Sequence, residues 1–103
     1  MAASTDYPLR SEATAFRIID NEAVILDLES GVYYSLNEVG ATIWSLCDGN
    51  RSIKGITTAI CEEFEVEKEM AEKDILELLN DLTREGLVII NGISTQAEPD
   101  KKS

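Results

Sequence analysis

The sequence predicts one α+β domain in which a three-stranded antiparallel sheet precedes three helices. Three observations carry this. The chain has 103 residues, enough for a single small core. Apolar residues recur at every second position up to Leu36 and at helical spacing from Asn37 onward. Clusters of Gly, Asn and Asp punctuate the chain where the elements would meet.

The first dozen residues are polar, include Pro8 and show no period, so residues 1–13 are expected to form a flexible N-terminal segment. Residues 16–19 and 23–26 are β-rich runs joined by the polar turn cluster Asp20-Asn21-Glu22, which reads as a hairpin. Leu28-Glu29-Ser30-Gly31 makes a second tight connection, with Gly31 available for positive φ, and residues 32–36 form the third strand. Strand alternation assigns Phe16, Ile18, Val24, Leu26, Leu28, Val32, Tyr34 and Leu36 to the core face. It leaves Arg17, Asp27, Tyr33 and Ser35 on the other.

From Asn37, a good N-cap, the period becomes 3.6, with Val39, Ile43, Leu46 and Cys47 on one stripe and Asp48-Gly49-Asn50 as the stop. Ser52 caps a second helix through Ile53, Ile56, Ile60 and Phe64. A third begins near Glu67, where acids suit the positive end of the dipole, and stops at Gly86. Its core stripe is expected to be Ala71, Ile75, Leu78 and Leu82, with Leu79 at the margin and Leu76 to one side near Glu72. Residues 87–90 read as a short closing strand. The folded domain is expected over residues 14–91, followed by a flexible tail at 92–103.

This order of elements matches a winged helix-turn-helix-like domain, a fold often used on DNA. Charge opposes that use. The net charge is -11, and residues 62–85 hold ten acids against three bases. The chain contains no histidine, which removes the Ser-His-Asp, Cys-His and His-based metal constellations. Cys47 and Cys61 form no Cys-x-x-Cys, and no glycine-rich phosphate loop is present. No catalytic residue, metal or cofactor is therefore expected. No apolar run is long enough for a signal peptide or spanning helix, and the protein is expected to be cytoplasmic, with no membrane partner. The third helix instead suggests a groove: an apolar margin beside a short edge strand can receive an extended peptide.

Leu26-Asp-Leu-Glu-Ser-Gly-Val-Tyr-Tyr-Ser-Leu-Asn-Glu-Val-Gly-Ala-Thr-Ile-Trp44, then Leu46-Cys-Asp-Gly49 and Leu78-Leu-Asn-Asp-Leu-Thr-Arg-Glu-Gly-Leu87, resemble the PqqD family. Leu36-Asn37, Asp48-Gly49 and Gly86-Leu87 are the most characteristic pieces, in that order. The resemblance covers about residues 15–90. It implies a RiPP recognition element: a non-catalytic adaptor that binds the leader of a ribosomally made precursor peptide and presents it to a modifying enzyme. The enzyme would be a radical SAM enzyme or a leader peptidase, in a lasso-peptide or pyrroloquinoline-quinone type of pathway. Carried onto this sequence, the leader would lie as an added strand against Val32, Tyr33, Tyr34, Ser35 and Leu36. It would also touch the Glu72, Leu76 and Leu79 side of the last helix. The alternative is an acidic winged-helix regulator acting through protein contacts or weak DNA binding.

Overall fold

The computed structural model describes residues 5–91. In chain order the elements are β1 (Tyr7–Arg10), β2 (Thr14–Ile19), β3 (Glu22–Asp27), β4 (Tyr33–Leu36), α1 (Glu38–Ser45), α2 (Ile53–Phe64), α3 (Lys68–Arg84) and β5 (Val88–Asn91). β2, β3 and β4 form one antiparallel sheet in that order, and β1 and β5 form a second, two-stranded one. The α+β class and the three helices agree with the sequence reading. The expected tail at 92–103 lies outside the described residues.

The β2–β3 turn fixes the sheet's register. Asp20 and Asn21 have φ of 52° and 68°, the paired positive values of a type I′ turn whose twist matches that of the strands it joins. Ile19 therefore faces Glu22, Phe16 faces Ile25 and Ile18 faces Ala23. Every such pair couples an even position with an odd one, so the core residues of β3 are Ala23 and Ile25, both fully buried. This corrects the expected assignment of Val24, Leu26 and Leu28 to the core face: reading each strand's alternation alone missed the one-residue offset imposed by the turn. The next pairing sets Tyr34 opposite Ile25 and Leu36 opposite Ala23, so those two do face inward. Val32, also expected inward, is exposed.

Within the segment 1–13, expected to be flexible, Tyr7–Arg10 form a strand, and residues 1–4 lie outside the described residues. β1 pairs antiparallel with β5, Pro8 facing Ile90. The same stretch is bonded to the α1–α2 connection: Arg10 N–H donates to Cys47 O, Gly49 N–H to Pro8 O and Ile53 N–H to Asp6 O, at 3.0, 2.9 and 2.9 Å. Four residues containing a proline show no usable alternation, yet proline is tolerated where its missing N–H is not needed by a ladder. Arg10 secures the link. Its Nη1 donates to the carbonyls of Trp44 and Ser45, at 3.0 and 2.9 Å, supplying a cation to the unsatisfied end of α1. The guanidinium also lies 5.4 Å from the centre of the Phe16 ring, which meets Trp44 edge-on.

The helices start where the caps stand. Asn37 Oδ1 accepts from Gly40 N–H and Ser52 Oγ from Gly55 N–H, at 2.9 and 3.1 Å. At the end of α3, Gly86 N–H donates to Thr83 O and Leu87 N–H to Leu82 O. This is a Schellman closure, and Gly86 takes the left-handed φ of 79° that it requires. Isoleucines from α2, Ile75 and Leu82 from α3, and Leu87 and Val88 close around Trp44 to make one core.

Cys47 sits in that core, where burial pushes its thiol up to about 12 although the positive charge of Arg10 pulls the other way. Native-state alkylation near neutral pH is expected to label Cys61 well before Cys47, as read by peptide mass mapping. The folded thiol holds its proton to higher pH than the unfolded one, so its contribution is intact below the usual 9.0 and is lost as pH rises toward 12. Cys47→Ala is expected to flatten the alkaline fall in stability. Arg10→Ala is expected to lower stability by about 1–3 kcal/mol in denaturant unfolding, through lost charged hydrogen bonds and the ring contact.

Candidate functional site: a cleft between an edge strand and an acidic helix

β4 pairs with β3 on one side, and among the described residues no strand pairs with its other side. Which backbone groups face outward follows from the ladder. Asp27 N–H donates to Val32 O at 2.9 Å, so the carbonyl of Val32 points toward β3. Backbone direction alternates along a strand, so Tyr34 and Leu36 spend their polar groups on β3 while Tyr33 and Ser35 turn theirs to the open edge. An extended peptide laid there meets a regular donor and acceptor row.

The space beside this edge is a cleft of about 560 Å³. Ser35, Leu36 and Asn37 form one side and Val39, Gly40 and Ile43 of α1 the end; Asp74, Glu77, Leu78 and Asp81 of α3 form the far wall. Gly40 permits the tight junction of strand and helix, because a Cβ there would come within 3.1 Å of Leu36 Cβ. The α3 residues recur every three or four positions, so three carboxylates stand along one flank of the helix around a single leucine. Asp81 pairs with Arg84, while among the described residues no cation pairs with Asp74 or Glu77. At the C-terminal end of α3, Tyr34 Oη donates to Glu85 Oε1 at 3.1 Å, tying the edge strand to the helix cap. Partial burial, and then this carboxylate, push the Tyr34 hydroxyl above its ordinary value.

The structure therefore brings Ser35 and Leu36 to the cleft, whereas Val32 and Tyr33 are exposed outside it, Tyr33 lying with Val24 and Leu26 on the opposite face of the sheet. It does not bring the helix residues expected from sequence. Leu79 is 0% exposed and is part of the core, correcting its place at the margin, whereas Leu78, expected in the core, is only half-buried and lines the cleft. Glu72 and Leu76 do not line it. Two residues along a helix differ by about 200°, so Leu76 and Leu78 flank the buried stripe on opposite sides. The reason is that α3 is covered by both α2 and β5, which centres its buried face between Ile75 and Leu79. Asp74, Glu77 and Asp81 were missed, although their spacing of three and four was visible as an acidic flank.

A family model described as coenzyme PQQ synthesis protein D (PqqD) matches residues 22–88. The chain belongs to the PqqD family. Three solved structures share the fold of this PqqD-family chain. The chain described as "TbiB1 in Complex with the TbiA(beta) Leader Peptide" is 35% identical, with a TM-score of 0.72 over 78% of this chain and 93% of that one. A lasso peptide synthetase B1 complexed with the leader peptide is 28% identical, with a TM-score of 0.72 over 81% and 98%. The PqqD truncation of PqqCD from Methylobacterium extorquens, described as a stand-alone RiPP recognition element, is 20% identical, with a TM-score of 0.73 over 86% and 95%. No curated protein matches the sequence.

The seating of α3 can be tested without a ligand. Leu79→Ala is expected to cost about 2–5 kcal/mol in denaturant unfolding, the range for a buried leucine. Leu78→Ala is expected to cost clearly less, with circular dichroism unchanged. Equal losses would contradict the orientation of the helix.

Proposed function

We propose that this PqqD-family chain binds the leader of a ribosomally made precursor peptide as an added strand on β4 and presents it to a modifying enzyme, catalysing no step itself. The observation that carries this is the outward-facing backbone of Tyr33 and Ser35 beside a cleft whose opposite wall combines Leu78 with Asp74 and Glu77. Backbone pairing supplies affinity for any extended segment, and the wall selects among them by charge and apolar fit. Support also comes from the two structural relatives that hold a leader peptide. They are more similar in sequence than the quinone-pathway relative, which favours a lasso-peptide type of pathway. The partner is a peptide-modifying enzyme, either a leader peptidase or a radical SAM enzyme.

A peptide gaining several edge hydrogen bonds, each worth about 0.5–1.5 kcal/mol net, together with an apolar anchor, reaches nanomolar to micromolar affinity after ordering costs. The acidic wall favours a leader with a basic or neutral face toward α3. It opposes the DNA-binding alternative, since a phosphate backbone brought to this flank would meet like charge.

The decisive experiment titrates a labelled TbiA(beta) leader peptide, the ligand of the 35% identical relative, and in parallel a labelled DNA duplex. Leader binding without duplex binding is expected, with modest weakening at high salt. Ser35→Pro removes an N–H from the open edge and is expected to weaken the leader at least tenfold while the thermal midpoint changes little. Tyr34→Pro removes an N–H from the β3 ladder and is expected to destabilise the domain instead. Duplex binding that exceeds leader binding, or a folded Ser35→Pro variant with unchanged affinity, would overturn the proposal.

A further inference from the structure

The hydrogen bond from Tyr34 Oη to Glu85 Oε1 joins the edge strand to the helix across the space between them. The order of residues on the two walls gives its place. Leu36 lines the cleft next to α1, and Tyr34, two positions earlier, points to the same face of β4. On α3 the lining runs from Asp74 to Asp81, and Glu85 stands about one turn further on. The cleft is therefore closed at one end by Val39, Gly40 and Ile43 and crossed at the other by the Tyr34–Glu85 bridge. We infer that Glu85, held by Tyr34, is a specificity-determining residue: the bridge excludes a bulky side chain from the inward-facing peptide position beside Tyr34. The inference rests on the reading of β4 as the peptide's edge.

Backbone pairing leaves the register of an added strand open, because its donors and acceptors repeat every second residue and a slip by two restores every bond. Side chains decide the register instead. Those on one face of a strand follow one another at about 7 Å. A peptide that sets a large side chain inward at the level of Leu36 brings its next inward residue to the level of Tyr34, where the bridge stands. A slip by two drives the large side chain against the bridge in one direction and against α1 in the other. Both ends of the bridge are fixed before a peptide arrives. The Tyr34 ring packs on the core, and Glu85 is the cap of α3, its N–H donating to Asp81 O at 3.1 Å. A preformed stop discriminates without an ordering cost. Displacing it is costly in chemistry as well as in space. A bulky apolar side chain placed there separates Oη from Oε1 and covers a hydroxyl and a carboxylate that it cannot hydrogen-bond. Glycine, alanine or serine at that position leaves the bond in place.

The test uses the full chain and a random peptide library displayed on mRNA, selected for binding to it. Selected peptides are titrated against Ser35→Pro, and those weakened at least about tenfold are scanned with alanine and with phenylalanine at every position. One position is expected at which phenylalanine costs at least about tenfold and alanine less than about threefold. The readout is the ratio of affinities for the unsubstituted and the phenylalanine-substituted peptide at that position. Glu85→Ala is expected to bring the ratio down to about threefold or less, and Tyr34→Phe, which loses the donor, to do the same. Glu85→Gln, whose amide oxygen still accepts from Tyr34, is expected to keep it near about tenfold. Glu85 is exposed, so its variants are expected to keep their circular dichroism and thermal midpoint. Peptides that accept phenylalanine at every position would overturn the inference. So would a penalty that survives Glu85→Ala or Tyr34→Phe in a folded variant, or one that is lost in Glu85→Gln as well. In each of these cases sensitivity to Ser35→Pro leaves the β4 reading standing. A selection that yields no peptide sensitive to Ser35→Pro would instead overturn the β4 reading, and the inference with it.

Discussion

The seating of α3 is the constraint on which the site depends. Its buried face rests on α2 on one flank and on β5 on the other, and Ile75, Leu79 and Leu82 are consumed by those contacts. β4 is left with a single neighbour, β3, and the flank of α3 bearing Asp74, Leu78 and Asp81 looks across open space toward its edge. β5 holds its place because β1 pairs with it, and β1 in turn is bound to the end of α1 through Arg10. A segment near the beginning of the chain thus helps position the cleft's far wall without entering it.

In the proposed reading, two kinds of recognition meet in this space. The outward N–H and C=O groups of Tyr33 and Ser35 offer directional bonds that any extended chain can satisfy. The helical wall offers charge and shape, which only some chains match. Placing the first on a strand and the second on a helix keeps both rigid. The strand is anchored by its β3 ladder and by the Tyr34–Glu85 hydrogen bond, and the helix by its core stripe and its Schellman closure. The arrangement asks nothing of a nucleophile or a titrating base, and the most perturbed thiol, Cys47, is locked in its protonated form by burial.

Much of the fold was legible because local chemistry dictated it. Asn37 and Ser52 cap the helices they were expected to cap, Gly86 ends α3, and Asp20-Asn21 turns the hairpin. The resemblance in residues 26–44 and 78–87 pointed to the family that the comparisons show. The strand side of the candidate site, residues 32–36, was read from the same stretch. On the helix side the cleft is lined by Asp74, Glu77, Leu78 and Asp81 and not by Glu72, Leu76 or Leu79, since amphipathic spacing defines an apolar stripe but not which margin of it a neighbour covers.

The sequence by itself determined the three helices, the β2–β3–β4 strands, their caps and turns, and the acidity of residues 62–85; these follow from residues close together along the chain. Only the tertiary structure decided the rest. The offset that buries Ala23 and Ile25 in place of Val24 and Leu26 arises when a two-residue turn joins two strands. The strand at Tyr7–Arg10 exists because β5 and the α1–α2 connection supply its hydrogen bonds. Leu79 is buried and Leu78 opens to the cleft because α2 and β5 press on α3 from two sides. In the last two cases the deciding partner lies far away in sequence, and packing against it selects among alternatives that local pattern leaves nearly equal in energy.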